Sequence, residues 1–171
     1  ALAFYAGEGV APACLALQDE ASVDVIVLIL AVFAAVERGV VLSDSGLREA
    51  DRLVAGWRKE IVHPLRGVRR TLKSGPDPAP SAQTEALRNR IKKAELDAEQ
   101  VELAMLYEWL AGRTPGTAGP EEAERVPGRV AAYFHGRGGA GEMASLAGPI
   151  DTLSRAARRL AEDSTSEGTS E

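Results

Sequence analysis

The longest unbroken apolar stretch lies near the amino terminus of the chain. Twelve residues, Val25 to Val36, are all apolar and are bounded by Asp24 and Glu37. This length exceeds that of a usual strand, and Ser22 or Asp24 can cap a helix that Gly39 terminates. A bilayer crossing takes about 20 residues, so we expect no membrane span. The pattern predicts a central helix that is buried on every side and therefore surrounded by other helices.

The most regular helical spacing lies between Thr84 and Ala111. Apolar residues recur there at intervals of three or four, which is typical of a long helix with a coiled-coil-like seam. The seam consists of Leu87, Ile91, Ala94, Ala98, Val101, Met105 and Trp109. Bundles use the same repeat, so we expect the seam to cover the central helix of its own chain. A monomer is favoured over a homodimer that pairs through residues 87–109.

Shorter helical segments complete the pattern. The first runs from about Val10 to Glu20, and the third begins at the capping cluster around Ser43 and must kink or restart at Pro64. Two short helices begun by proline are predicted at Pro127–His135 and Pro149–Ala161. The fold class is therefore all-α, an irregular helical bundle around a buried central helix, with one long amphipathic helix.

Length and composition predict one domain. The chain has 171 residues, of which 45% are hydrophobic, and this suits a single helical domain over residues 1–162. Residues 163–171 are expected to form a disordered acidic tail, because no hydrophobic residue follows Asp163. The lone Cys14 cannot form an internal disulfide, and no cation precedes it as in a signal peptide. We expect a cytoplasmic protein.

Positive charge is concentrated in one segment of this acidic protein. The formal net charge is −5, yet residues 58–93 hold ten Lys and Arg against Glu60, Asp77 and Glu85. Such a face can dock on a protein partner or on phosphate, and arginine can grip carboxylates or phosphates bidentately. The candidate partner-binding residues are Trp57, Arg58, Arg66, Arg69, Arg70 and Lys73. The alternative, which the sequence favours, is a solvated face partly paired with acids of the long helix.

Two groups of polar residues are further candidates for a functional site. Glu95, Glu99 and Glu102 share one face of the long helix, and without a histidine partner they predict a solvated face rather than a metal site. A second polar cluster, Gln18, Asp19 and Asp24, brackets the junction between the first two helices. Capping is its expected role, and an active site that also includes Trp57 and Arg58 is the alternative.

The remaining motifs carry little chemistry. Residues 136–141 satisfy G-x-G-x-x-G, but the chain offers no βαβ unit around them, so we expect a flexible glycine loop. His63 has no second ligand nearby in the sequence, and no hydrolase, metalloprotease or phosphate-loop motif occurs. We therefore predict no catalytic residue, cofactor or metal.

Many short matches over about residues 4–110 resemble an uncharacterised family of small proteobacterial proteins known by a domain-of-unknown-function label. They are Phe4-Tyr5, Gly9-Val10, Cys14 to Asp19, Asp24-Val25, Trp57-Arg58, Val62, Pro64 to Arg66, Arg69-Arg70 and Leu72-Lys73. The resemblance implies an all-helical cytoplasmic protein without an established activity. That family tends to place an asparagine soon after the Asp-Val pair, whereas Ile26 follows here.

The sequence favours a non-enzymatic helical module that binds another protein. One alternative is a nucleic-acid-associated factor that uses the basic helix over residues 58–73 together with cations of the next helix. Those further cations are Arg88, Arg90, Lys92 and Lys93. A second alternative is an enzyme of unknown chemistry around the polar cluster.

Overall fold

The computed structural model describes residues 2–75, 77, 79, 81–137 and 143–167, and within them it contains helices and no strand. This confirms the all-α prediction. In this described part of the chain, eight α-helices and one π-helical segment follow one another: α1 (Leu2–Tyr5), α2 (Val10–Ala21), α3 (Val25–Arg38), α4 (Asp44–Trp57), the π segment (Arg58–Val62), α5 (His63–Ser74), α6 (Ser81–Ala111), α7 (Pro120–His135) and α8 (Ala147–Glu167).

Helix α3 is the centre of the bundle, as predicted. The Asp24 side chain caps it by accepting hydrogen bonds from the backbone N–H groups of Ile26 at 2.8 Å and Val27 at 3.1 Å. Its apolar residues are buried along nearly its whole length, and it contacts α2, α4, α6, α7 and α8. Gly39 ends the helix with φ 59°, where a Cβ would also lie 2.5 Å from the carbonyl oxygen of Gly116.

Pro64 marks a change in helix type, which confirms the predicted kink or restart. The preceding turn widens into the π segment, and the backbone N–H of His63 bonds to the carbonyl of Arg58, five residues back. Pro64, which has no N–H to donate, then lies in the first turn of α5. The wider turn keeps Val62 buried and places Arg58 on the same inner side of the helix.

The predicted seam of the long helix coincides only in part with the face that is buried, since Ala98 is buried and Met105 and Trp109 pack against the core. The residues of α6 that are buried are Glu95, Ala98, Glu102, Leu106 and Leu110, whereas the seam residues Leu87 and Val101 are both 44% exposed. The inner face can carry glutamates because arginines from α5 and the π segment pair with them. The helix does pack within its own chain, against α3, α4, α5 and the π segment.

The carboxyl-terminal helices differ from the prediction at both ends. Helix α7 begins at Pro120 rather than Pro127, because Pro120 occupies its first turn and the Glu122 carboxylate accepts the backbone N–H of Gly119 at 3.0 Å. Pro127 lies inside the helix and is buried. Helix α8 reaches Glu167, so the predicted disordered tail is helical through that residue.

Two predictions fall partly or wholly outside the described residues. The last four residues of the predicted tail, 168–171, are not described, and neither are residues 138–141 of the glycine-rich stretch. Among the helices that are described, none combines the length and the apolar character that a membrane span requires.

Candidate functional site

A cavity of about 650 Å³ opens beside the π segment. It lies between the turn from α2 to α3, the π segment, α5 and α6. Its apolar wall is formed by Val23, Val25, Ile26, Ile29, Val62, Leu96 and Leu103. Its polar groups are Gln18, Asp19, Ser22, Asp24, Arg58, His63, Arg66, Arg70, Glu99, Gln100 and Glu102, and Tyr5 and Gly67 complete the lining.

This pocket brings together the two groups of residues that the sequence offered as separate candidates. The whole polar cluster of Gln18, Asp19 and Asp24 faces the same cavity as three of the six candidate partner-binding residues. Those three are Arg58, Arg66 and Arg70. The other three do not line it: Trp57 donates its indole N–H to the Ala98 carbonyl at 2.9 Å, Arg69 contacts Glu95, and Lys73 is exposed on α5.

Arg58 forms the floor of the pocket with three carboxyl groups. Its Nη1 donates to Oδ1 of Asp51 at 2.9 Å, and its Nε lies against Oδ2 of Asp24 and, at 3.5 Å, Oε1 of Glu102. The side chains of Asp24, Asp51 and Glu102 are almost completely buried. Because one nitrogen of Arg58 contacts both Asp24 and Glu102, those two carboxyl groups are close neighbours.

The crowding of carboxyl groups on the floor favours the protonated form of Glu102. Burial, together with the charge of the neighbouring Asp24 and a hydrogen bond to it, raises the pKa of Glu102 to about 8, and Arg58 opposes the rise only in part. At neutral pH, Glu102 is therefore mostly protonated. Burial by itself would lower the pKa of Arg58, but the charges of Asp24 and Asp51 outweigh it and raise that pKa.

The floor continues away from the pocket toward α7. Asp51 accepts a hydrogen bond from the Tyr133 hydroxyl at 3.0 Å, and Arg137 approaches the same oxygen at 3.7 Å. The guanidinium of Arg137 also lies 5.5 Å from the centre of the Tyr133 ring. Asp51 thus holds Arg58 from behind and ties the π segment to the end of α7.

A second ion-pair cluster joins α5 to α6 at one side of the pocket. Arg66 donates to Glu95 at 2.9 Å and to Glu99 at 2.7 Å, and Arg69 donates to Glu95 at 3.1 Å. Burial would raise the pKa of Glu95, but its bonds to Arg69 and Arg66 lower it instead. The prediction that the glutamates form a solvated face is wrong, whereas the prediction that the basic face pairs with acids of the long helix is confirmed.

The arginines of α5 differ in how firmly they are held. Arg69 is only 25% exposed at its side chain, so the expectation of a solvated basic face is wrong at this residue. Arg70 does lie in water and pairs with Asp19 at 3.1 Å, and both side chains are 59% exposed. Arg70 is therefore the pocket arginine with the weakest attachment.

Two other reactive side chains, Cys14 and His63, are held in their uncharged forms at neutral pH. Burial raises the pKa of Cys14 to about 12, so its thiol is protonated at neutral pH. Burial and then the charges of Arg66 and Arg58 lower the pKa of His63, which leaves its imidazole neutral. Within the described ranges, no group of three or more His, Cys, Asp or Glu side chains is arranged to hold a metal ion.

Sequence reasoning missed Asp51, Tyr133 and the burial of Glu102. None of these stands out in the sequence, because Asp51 sits on an ordinary amphipathic helix and Glu102 belongs to a run of evenly spaced glutamates. One available signal was the matching three- and four-residue spacing of arginines on α5 and glutamates on α6. Facing helices with those spacings can pair charge for charge.

Comparison with known proteins identifies the family of the chain. A family model described as "Protein of unknown function (DUF2390)" matches residues 1–106. Every residue that lines the pocket, from Tyr5 to Leu103, falls within that match, whereas α7 and α8 lie beyond it. A search of the curated proteins and a search of the solved structures each gave no match. The matched model covers more than half of the chain, and the chain therefore belongs to this family of proteins of unknown function.

Proposed function

We propose that this protein is a binding module whose ligand is a small molecule held in the pocket beside the π segment. The observation that carries the proposal is the convergence of both candidate groups on one cavity of about 650 Å³. That volume lies within the range of roughly 300–1,000 Å³ that small-molecule sites occupy, and an apolar wall with a few converging polar groups is their usual composition. A π-helical turn is also common at functional sites.

The lining supports a ligand with an apolar body. Ile26 and Ile29 of α3 face Leu103 of α6 across the cavity, and these side chains can bury a hydrocarbon or aromatic surface. The charges beneath them are already paired, since Arg58 lies among Asp24, Asp51 and Glu102. A ligand body therefore needs no charge of its own to occupy the inner part of the pocket.

The second candidate is the protein partner that the sequence favoured. Tyr5 is 41% and Leu96 is 54% exposed at the pocket rim, and exposed apolar side chains beside a cavity are typical of docking sites. Nucleic acid is less well supported, because Arg66 and Arg69 are already neutralised by Glu95 and Glu99. Phosphates would have to displace carboxylates that are partly buried.

The proposal can be tested by filling the pocket through a glycine. Gly67 lines the pocket on α5, and a Cβ at this position meets nothing within 4 Å, so Gly67→Leu should fit while its side chain occupies the cavity. Gly56→Leu on α4 is the matched control, since its Cβ also meets nothing within 4 Å and Gly56 does not line the pocket. Both changes should stabilise their helices by about 0.5–1 kcal/mol.

The probe is the neutral dye N-phenylnaphthylamine, whose fluorescence rises in apolar surroundings. We expect Gly67→Leu to weaken dye binding at least about tenfold, which corresponds to about 1.4 kcal/mol, while Gly56→Leu binds as the unchanged protein does. Equal dye affinity in all three proteins, or no binding to any of them, would contradict the proposal. In that case, a partner protein at the Tyr5 and Leu96 rim becomes the better hypothesis.

A further inference from the structure

We propose that the ligand is an amphipathic monoanion whose acidic head group takes the place of Asp19 beside Arg70 at the mouth of the pocket. This inference rests on the proposed function and adds the chemical class of the ligand. Its apolar body would lie against the wall formed by α3 and α6, and its single carboxylate or sulfonate would remain near water at the mouth.

The first observation is the position of the pair formed by Arg70 and Asp19. Arg70 belongs to α5 and Asp19 to the last turn of α2, and both side chains line the pocket. Their contact of 3.1 Å therefore joins two elements that bound the same cavity. A guanidinium that already holds one carboxylate at this place has the geometry to hold another.

The second observation is the contrast between Arg70 and the other two arginines of the pocket. Arg58 contacts three carboxyl groups, and Arg66 contacts Glu95 and Glu99, with 18% of its side chain exposed. Removing either arginine from its partners would leave buried charge uncompensated, which is strongly unfavourable. Among the residues that the structure describes, Arg70 pairs with Asp19 alone, and both side chains lie in water, so an exchange of partner there loses little.

The third observation limits the charge of the head group. A dianionic head such as a phosphate monoester would find no second cation, because the other pocket arginines, Arg58 and Arg66, are already paired with carboxylates. His63 lies on the same face of α5 as Arg66 and Arg70, but its pKa is lowered by burial and by the charges of Arg66 and Arg58, so it adds no second cation at neutral pH. One positive group with one exchangeable partner suits one negative charge.

The test uses two dyes that share their rings and differ by one charge. Anilinonaphthalene sulfonate carries a sulfonate, and N-phenylnaphthylamine lacks it. Arg70→Gln should weaken binding of the sulfonate about fivefold, as expected for a partly exposed charge-assisted hydrogen bond. Asp19→Asn should strengthen its binding about twofold, because the competing carboxylate is gone. The neutral dye should bind equally to all of these proteins.

Control variants separate the local contact from a change in net charge. Arg125 and Glu121 form an exposed pair on α7, away from the pocket, so Arg125→Gln and Glu121→Gln change the charge by the same amounts as the two test variants. Neither control should alter binding of the sulfonate dye by more than about 1.5-fold in moderate salt. Circular dichroism would verify that every variant keeps its helices.

The outcomes distinguish this inference from the function on which it rests. If the neutral dye is excluded by Gly67→Leu but Arg70→Gln leaves sulfonate affinity unchanged, the pocket binds ligands and the assignment of an anion is wrong. Weaker sulfonate binding in Asp19→Asn would also overturn the exchange of partners. If neither dye responds to Gly67→Leu, the pocket itself is not the site and both proposals fail.

Discussion

The packing of helix α3 against α7 and α8 differs from the packing of α5 against α6. The first region buries large apolar side chains such as Leu28, Leu30, Val130 and Leu153. In the second, α5 has no buried residue at all, and the two helices are joined by ion pairs to Glu95 and Glu99.

The difference indicates that one region supplies most of the stability and that the other fixes the geometry of the contacts. Apolar burial is strong and has no preferred direction, so the α3, α7 and α8 region can supply most of the folding free energy. Ion pairs contribute less net stability, but they fix which side chains meet and at what distance. The pocket lies at the boundary, with one wall from the apolar region and a floor from the charged one.

The largest expected effect lies in the apolar region. Leu30 is fully buried on α3, and Leu30→Ala should lower the free energy of unfolding by about 2–5 kcal/mol through lost burial and the cavity that remains. Urea denaturation would measure the change. A loss below about 1 kcal/mol would show that α3 is not the stabilising centre and would remove one side of the comparison.

An intermediate effect is expected at the pocket floor, as a dependence on pH. The pKa of Glu102 rises from 4.5 in the unfolded chain to about 8 in the folded protein, so the folded state holds the proton more tightly between those values. Its contribution to stability is therefore complete below pH 4.5, falls by about 1 kcal/mol per pH unit as the pH rises, and is lost above pH 8.

Glu102→Gln should remove this slope, because a glutamine does not titrate. Denaturant unfolding at several values of pH between roughly 5.5 and 8 would compare the variant with the unchanged protein. The free energies of unfolding of the two proteins should diverge in this window. Taking the difference also cancels His63, whose lowered pKa acts in the opposite direction. Parallel stability curves would mean that Glu102 is ionised in the folded protein.

The smallest effect separates the two kinds of ion pair. Arg70→Gln should change the free energy of unfolding by less than about 0.5 kcal/mol, since its pair with Asp19 lies in water. Arg66→Gln is the matched comparison, and it should cost about 1–3 kcal/mol because the nearly buried Glu95 loses one of its donors. Equal losses in the two variants would show that the buried pairs contribute no more than the exposed one.

The sequence predicts the apolar region better than the charged one. The long apolar stretch with Asp24 before it and Gly39 after it is a local signal, and the structure confirms α3 within a residue or two. Pro64 is similarly local, since a missing N–H disturbs any helix. These elements follow from residues that are close together in the chain.

The register of α6 could not be predicted because it depends on partners far along the chain. From the sequence alone, Glu95 and Glu102 are expected to be solvated. Only the folded structure shows that arginines lie opposite them, namely Arg66, Arg69 and Arg58. The contacts of Arg58 have the same limit, since the sequence does not show that this residue of the π segment meets Asp24 and Asp51. The pocket therefore combines residues that the sequence could nominate, such as Asp19 and Arg70, in an arrangement that only tertiary contacts create.

The central claim is that the cavity beside the π segment is the ligand site, and mapping amide chemical shifts by NMR during titration with N-phenylnaphthylamine tests it most directly. The account predicts saturable shifts concentrated at Ile26, Ile29, Arg58 and Leu103, which line the cavity, and little change at Val130 and Leu153 of α7 and α8. Shifts centred on α7 and α8, or spread evenly over the chain, would contradict it.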